Sequence, residues 1–184
     1  MVLTKTPICN FGEKTKSFEL KGIDDQLHKL EDHIGKNGLL IMFICNHCPY
    51  VKAIIRDIVE DCKNLKKEGV NSIAIMSNDT KEYPEDSFEN MKIFSKKFNF
   101  SFPYLIDETQ EIAKEYGAVC TPDFFGYNSK LELQYRGRIR ELKDLKPINS
   151  GESDLSKAMR LIIKTGEGPK EQIPSMGCNI KWAK

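Results

Sequence analysis

Residues 38–52, GLLIMFICNHCPYVK, contain the features that decide the fold of this chain. Gly38 to Ile44 is a continuous apolar run that starts at a glycine, which is typical of a strand buried on both faces. From Pro49 onward the apolar residues recur at steps of three and four, which predicts an amphipathic helix ending at Gly69. The sequence therefore predicts a strand, a loop with two cysteines and a helix in direct succession.

A second buried strand is predicted at Val70 to Ser77, where the residues are apolar and β-branched. It follows the helix after a tight glycine turn, as in a unit of two parallel strands joined by a helix. Further along, apolar residues share one face of a predicted helix over 88–98, and residues 102–107 form a short strand or an extended connection. These elements predict an α/β protein with parallel strands.

The second half of the chain predicts a different strand arrangement. Asp107 and Gln110 resemble a capping box for a short helix that ends at Gly117. Two strand-like runs then flank the turn residues 127–130, so we predict an antiparallel hairpin. A last amphipathic helix follows, with its apolar stripe between residues 155 and 163. The predicted sheet is therefore mixed.

Composition limits the classes of function. The chain has 184 residues and 40% apolar content, which fits one domain over 1–184, with a C-terminal tail at about 168–184. Lys and Arg (28) nearly balance Asp and Glu (27), so we expect no nucleic-acid partner. The first residues do not resemble a secretory signal, and no apolar stretch is long enough to span a membrane. We therefore expect a cytoplasmic protein without a membrane partner.

The cysteine that starts the predicted helix is the main candidate for chemistry. If the strand ends at Ile44, Cys48 is the N-cap or first-turn residue, and Pro49 fits the first turn because it needs no hydrogen-bond acceptor. Backbone N–H groups and the helix dipole stabilise an anion there and lower the pKa of a thiol, which makes Cys48 the predicted nucleophile. Cys45, three residues earlier, could reach it if the loop turns tightly.

Each cysteine also has a structural explanation, since a free cysteine is often a small buried hydrophobe. For Cys48 the functional interpretation is favoured, because the helix start and the proline agree with it. Cys62 lies on the apolar stripe of the helix, which favours a place in the core. For Cys9 both interpretations stay open.

Other polar features are less specific. His47 could stabilise a neighbouring thiolate, share a metal with Cys45 and Cys48, or be a solvated loop residue. Thr121-Pro122 precedes a predicted strand, and the local sequence alone favours a trans peptide bond. Three arginines could face an acidic or peroxide substrate, although alternate strand residues more often form a solvated face. They are Arg136, Arg138 and Arg140.

Five stretches together resemble thioredoxin-like redoxins of the alkyl hydroperoxide reductase and thiol-specific antioxidant superfamily, and they cover nearly the whole chain. They are LLIMFICNHCPYVK, YPEDSFENMK, FPYLIDETQEIAKEYGAVCTPDFF, YRGRI and PSMGCNIKW. The resemblance implies a thioredoxin fold: a central mixed sheet flanked by helices, here with N-terminal and C-terminal extensions. It also implies a cis peptide at Thr121-Pro122, lying against the reactive thiol, and substrate contacts from these two residues and from Pro49 and Tyr50.

The same resemblance suggests how the cysteines are used. Cys48-Pro49-Tyr50-Val51 resembles the Cys-Pro-Tyr-Cys of glutaredoxins with its second cysteine replaced by Val51. A resolving thiol must then come from elsewhere in the chain. The candidates are Cys45, by nearness in sequence; Cys120, beside the cis-proline loop; and Cys178, on a tail that resembles the mobile segment of many peroxiredoxins.

The leading hypothesis is a thiol-disulfide oxidoreductase in which Cys48 attacks a protein or small-molecule disulfide. A second thiol, Cys45 first and then Cys178 or Cys120, resolves the intermediate. A thiol peroxidase with an antioxidant role in redox homeostasis is the alternative, although Ile41 and Cys45 replace the proline and hydroxyl residue of the peroxiredoxin motif and Thr121 its arginine. A copper or zinc carrier is the rival from another class. We expect no cofactor, a thiol reductant as partner, and a homodimer as one option for assembly.

Overall fold

The computed structural model describes residues 2–184, which form twelve β-strands and four α-helices. The strands are β1 (Leu3–Lys5), β2 (Glu19–Gly22), β3 (Leu27–Lys29), β4 (Gly38–Phe43), β5 (Val70–Met76), β6 (Tyr104–Ile106), β7 (Cys120–Thr121), β8 (Asp123–Tyr127), β9 (Leu133–Tyr135), β10 (Leu142–Lys143), β11 (Lys146–Pro147) and β12 (Met176–Asn179). The helices are α1 (Pro49–Lys67), α2 (Phe88–Lys97), α3 (Glu111–Tyr116) and α4 (Asp154–Thr165), and short 3-10 helices span Leu30–His33 and Pro84–Asp86. Within the described residues, no helix is both long and apolar enough to cross a membrane.

The central sheet is mixed, as predicted, with the strand order β3-β2-β6-β5-β4-β8-β9. Strands β4, β5 and β6 are parallel neighbours, whereas β8 runs antiparallel to β4 and forms a hairpin with β9. The two buried strands predicted from the apolar runs are confirmed, each one residue shorter at its end. With helices on both faces and a cis-proline loop beside β8, this is a thioredoxin fold.

The side chains of β4 divide between two hydrophobic clusters, because successive strand residues point to opposite faces. Leu40 and Met42 pack in the larger cluster with residues of α1, α2 and α4, while Leu39 and Ile41 pack in the smaller one with residues of α3. All six residues of β4 are buried. The loop that follows β4 therefore leaves the sheet at the boundary between the two layers.

Helix α1 has the predicted amphipathic pattern. It begins at Pro49 and ends at Lys67, and Gly69 follows with the positive φ of 86° that the reversal toward β5 requires. Val51, Ile54 and Cys62 are among its buried residues, so Cys62 belongs to the core, as favoured from the sequence. The helix therefore fixes the position of Cys48, the residue that precedes Pro49.

Helix α3 begins differently from the predicted capping box. Gln110 is itself the N-cap residue, in a left-handed conformation with φ 64° and without a side-chain capping bond. Its amide instead donates to the carbonyls of Ser77 and Lys181. Asp107 does cap the helix, because its Oδ2 accepts from the N–H of Ala113 at 2.9 Å. The error arose because both residues serve contacts with distant segments.

The C-terminal segment is not a mobile tail. Strand β12 lies between β1 and β7 in a three-stranded antiparallel sheet, with Cys178 opposite Leu3 on one side and Thr121 on the other. The strand packs so closely that a Cβ at Gly177 would lie 1.9 Å from the carbonyl oxygen of Thr121. Glycine is required there by this close approach. Cys178 is consequently fixed and buried rather than free to swing in.

Candidate active site

Cys48 is the N-cap residue of α1, as predicted, and Pro49 occupies the first helical turn. The N–H groups of the first turn have no partner within the helix and, together with the dipole, favour negative charge at this end. The residue is 0% exposed, so its sulfur lies inside the protein. The helix therefore places a thiol where ionisation is stabilised and bulk water is excluded.

A second thiol lies directly against it. The Sγ atoms of Cys48 and Cys178 are 2.9 Å apart, although 130 residues separate them in sequence. Cys48 Sγ also lies 3.2 Å from the carbonyl oxygen of Thr121, to which the protonated thiol donates. The Thr121-Pro122 peptide bond is cis, which confirms the expectation from the family resemblance over the one from local sequence.

The other two candidate resolving cysteines surround the same loop. Cys45 Sγ lies 3.4 Å from the hydroxyl oxygen of Thr121, and the Cys120 thiol faces the carbonyl of Pro122 at 3.6 Å. Both residues are buried, whereas Cys9 is partly exposed and is not in contact with this group. The structure thus brings Cys45, Cys48, Cys120 and Cys178 together around the cis-proline loop.

The pKa values of these thiols differ because their hydrogen bonds and their burial differ. A hydrogen bond from the Cys45 thiol is the largest influence that lowers the pKa of Cys48, and bonds from Cys178 and from backbone N–H groups bring it to about 5 against the opposing effect of burial. Burial, together with the charge on Cys48, raises the pKa of Cys178 to about 12 and that of Cys45 well above its usual range. Cys48 is therefore the thiolate at neutral pH, and its neighbours are thiols.

We expect the reduced protein to contain one thiolate that titrates near pH 5, because stabilising contacts lower the pKa of Cys48 to about 5. The measurement is the far-ultraviolet absorbance of the thiolate as a function of pH, compared between the wild-type protein and Cys48→Ala. A difference curve with its midpoint at the ordinary thiol value of about 8.5 would contradict this assignment.

A buried carboxylate holds the loop before Cys48, and no pattern in the sequence predicts this role. Asp86, which is 0% exposed, accepts from the backbone N–H groups of Asn46 (2.8 Å) and His47 (3.3 Å) through Oδ1. Its Oδ2 accepts from His47 Nδ1 at 2.6 Å and from the Asn78 amide at 2.8 Å. Asp86 lies within the motif YPEDSFENMK, which carried the family resemblance, but no spacing rule links it to the loop.

The positions of these side chains bear on whether the loop could bind a metal ion. Donor atoms of Cys45, His47 and Asp86 lie within 4.8 Å of one another. However, both carboxylate oxygens of Asp86 and the Nδ1 atom of His47 are already engaged in hydrogen bonds. The arrangement is that of an anchored loop, in which a metal ion at these atoms would compete with hydrogen bonds already made.

Two of the four residues expected to contact substrate line a cleft. Tyr50 and Pro122 line a cleft of about 280 Å³, together with residues of the segments 138–142 and 173–176. Pro49 and Thr121 precede these two residues and hold the helix start and the cis peptide. The cleft adjoins the Cys48 region, and the substrate-binding roles of the four residues stay predictions.

The three arginines do not form a solvated face. Arg136 is buried and donates through Nε and Nη2 to the carboxylate of Asp123, which is 0% exposed. Arg138 pairs with Asp154 at 2.7 Å, and Arg140 with Asp57 at 3.3 Å. The expected strand alternation does not apply here, because β9 ends at Tyr135 and the three arginines follow it outside any strand.

Comparison with known proteins gives one family and several relatives. The model of the AhpC/TSA family matches residues 11–142. A curated relative, thiol-disulfide oxidoreductase ResA of Bacillus thuringiensis subsp. konkukian (strain 97-27), is 26% identical over 122 residues, which are 66% of this chain. The matched region covers 66% of the length of ResA, which is slightly less than two thirds.

Two solved structures resemble the whole chain. An uncharacterized conserved protein from Geobacillus kaustophilus is 38% identical, with a TM-score of 0.87 over 100% of this chain and 97% of that one. A hypothetical protein from Sinorhizobium meliloti 1021 is 34% identical, with a TM-score of 0.89 over 97% of both chains. The fold, including the C-terminal segment, is therefore shared with these proteins.

Proposed function

Because the chain belongs to the AhpC/TSA family, we propose that it is a thiol-disulfide oxidoreductase in which Cys48 is the nucleophile and Cys178 the resolving thiol. The observation that carries the proposal is the contact of 2.9 Å between the two sulfurs, one of them at the N-terminus of α1. A low thiol pKa and a second thiol within reach are the two requirements of such an exchange. The name of the curated relative, a thiol-disulfide oxidoreductase, agrees with this chemistry.

The proposed reaction has two exchange steps. The Cys48 thiolate attacks one sulfur of the substrate disulfide, which forms a mixed disulfide and releases the other substrate sulfur as a thiolate that takes up a proton. Cys178 then loses its proton and attacks Cys48 Sγ, which forms the Cys48–Cys178 disulfide and releases the second substrate thiol. The substrate gains two electrons and two protons, and an external thiol reductant returns the protein to its reduced form.

The direct contact of 2.9 Å between the two sulfurs favours Cys178 as the resolving thiol, although nearness in sequence puts Cys45 first. Cys178 Sγ contacts the Cys48 sulfur, whereas the Cys45 thiol is shared between Cys48 and the Thr121 hydroxyl. The Cys120 thiol faces the carbonyl of Pro122. Cys178 thus needs no rearrangement to bring its sulfur to that of Cys48.

We expect gentle oxidation to join Cys48 to Cys178, because their sulfurs are already in contact. Disulfide mapping by mass spectrometry after proteolysis tests this directly. Cys120→Ser is the matched control, since it removes a neighbouring buried thiol without touching the pair, and it should leave the disulfide unchanged. A predominant Cys45–Cys48 disulfide in the wild-type protein would show that the resolving thiol is assigned wrongly.

Disulfide exchange is favoured over peroxide reduction by the surroundings of Cys48. A peroxidase needs cationic or hydroxyl donors aimed at the departing oxygen. Two buried cations lie in this part of the molecule, and both are occupied: Arg136 by Asp123 and the carbonyl of Gly117, and Lys181 by the backbone and side-chain oxygens of Asn179. Rapid consumption of peroxide with a sulfenic acid trapped at Cys48 would instead favour the peroxidase, and stoichiometric copper or zinc in protein purified without chelators would favour the metal carrier.

A further inference from the structure

We infer that His47 is a catalytic acid of the proposed exchange: its Nε2–H protonates the substrate thiolate that leaves when Cys48 attacks, and Asp86 positions its ring. The inference rests on the proposed function, because it concerns the first of the two exchange steps. It assigns a task to two residues that the cysteine chemistry alone does not use.

The orientation of the ring comes from Asp86. The short contact of 2.6 Å between His47 Nδ1 and Asp86 Oδ2 makes Nδ1 the donor to the carboxylate, so the second ring nitrogen points away from it. Oδ1 of Asp86 simultaneously accepts from the His47 backbone N–H, so both ends of the residue are held by one carboxylate. The ring also stacks on Tyr83, with centroids 5.8 Å apart and planes 8° from parallel.

The second nitrogen is available to a substrate. Nε2 of His47 has no hydrogen-bond partner among residues 2–184, and the side chain is 17% exposed. The residue lines an open groove of about 460 Å³ beside the active-site loop, whose other lining residues include Asn46, Lys52 and Phe94. We therefore place the leaving half of the substrate in this groove, beside the Nε2 donor of His47, and not in the cleft lined by Tyr50 and Pro122.

The charges around His47 favour its protonated form. Its hydrogen bond to Asp86 and the charges of Asp86 and Cys48 raise the pKa of His47, while burial and the charge of Lys181 oppose this rise. Three other charged side chains line the groove: Lys52 and Lys97, whose charges oppose the protonated form, and Glu85, whose charge favours it. The imidazolium therefore coexists with the Cys48 thiolate at pH values above the ordinary histidine value of about 6.5.

Acid catalysis in this position depends on the leaving group. When Cys48 attacks a dialkyl disulfide, the S–S electron pair leaves on a basic alkyl thiolate, and the proton of His47 Nε2 neutralises it as it departs. An aromatic thiolate is a much weaker base and leaves without help. His47 becomes neutral imidazole in this step and is reprotonated from solvent before the next cycle.

The test measures the first exchange of reduced protein with bis(hydroxyethyl) disulfide and with the aromatic disulfide dithiobis(nitrobenzoate), in wild type and His47→Gln. We expect the variant to lose about 100-fold in rate with the dialkyl disulfide and less than about threefold with the aromatic one. His33→Gln, which alters a histidine away from the active-site loop, is the matched control and should change neither rate. An equal loss with both disulfides, or no loss with either, overturns the inference.

The pH profile provides a readout that a merely structural role would not move. With the dialkyl disulfide, the rate should rise near pH 5 as Cys48 ionises and fall above 6.5 as His47 loses its proton. Asp86→Asn keeps an oxygen acceptor for the loop but removes the charge, so the falling limb should move to lower pH. An unmoved falling limb overturns the role of Asp86, and failure of the wild-type protein to react with either disulfide overturns the proposed function itself.

Discussion

Cys48→Ser is expected to reduce disulfide exchange at least about a thousandfold, equivalent to about 4 kcal/mol of transition-state stabilisation. The reason is that all stabilising contacts at the start of α1 act on the sulfur anion, and a serine hydroxyl does not ionise there near neutral pH. Reduction of insulin disulfides in the presence of dithiothreitol is a suitable assay, measured at equal concentrations of folded protein.

The control for this experiment is Cys9→Ser. Cys9 is partly buried, and burial raises the pKa of its thiol to about 11, so its substitution should leave the rate unchanged. If Cys48→Ser keeps the wild-type rate while Cys45→Ser abolishes it, the nucleophile is Cys45 and the assignment made from the helix start is wrong.

Arg136→Met is expected to destabilise the protein by about 3–5 kcal/mol, the usual cost of leaving one partner of a buried ion pair uncompensated. Arg136 donates twice to the fully buried Asp123, and its guanidinium lies 4.4 Å from the centre of the Phe125 ring. Methionine fills part of the volume but supplies no donor. The free energy of unfolding from urea denaturation measures the effect.

Two further variants make this expectation specific to the buried pair. Arg160→Met removes an arginine that pairs with Glu68 at the surface, where such pairs contribute about 0–1 kcal/mol. In the double variant, adding Asp123→Asn should restore part of the lost stability, because the orphaned charge is gone. A loss below about 1 kcal/mol in Arg136→Met alone would show that the pair does not stabilise the fold.

The elements predicted well from the sequence are those whose determinants are local. The apolar run of β4, the three-and-four spacing of α1 and the proline after Cys48 all act within a few residues, and they correctly place Cys48 at the N-cap. The hairpin turn was predictable for the same reason, since the Asn128 side chain accepts from the N–H groups of Lys130 and Glu132. Local rules thus predicted the position of the proposed nucleophile.

The other half depends on contacts between distant segments. Nothing in the neighbourhood of Cys178 indicates that β12 pairs with β7 and brings its sulfur to Cys48, 130 residues earlier. The bonds from Asn46 and His47 to Asp86 likewise span 40 and 39 residues, so the anchor of the loop was missed. Gln110 shows the converse, because a local capping rule was overridden by bonds to Ser77 and Lys181.

The lack of a side chain at Gly177 determines where the next residue, Cys178, lies. A Cβ atom essentially never lies closer than 3.0 Å to a heavy atom beyond its own residue and its two chain neighbours, whereas a Cβ at this residue would lie 1.9 Å from the Thr121 oxygen. Any larger residue would therefore have to lift the backbone by about 1 Å. Cys178, the next residue, would be carried away with it. The contact between the two sulfur atoms therefore depends on glycine at position 177.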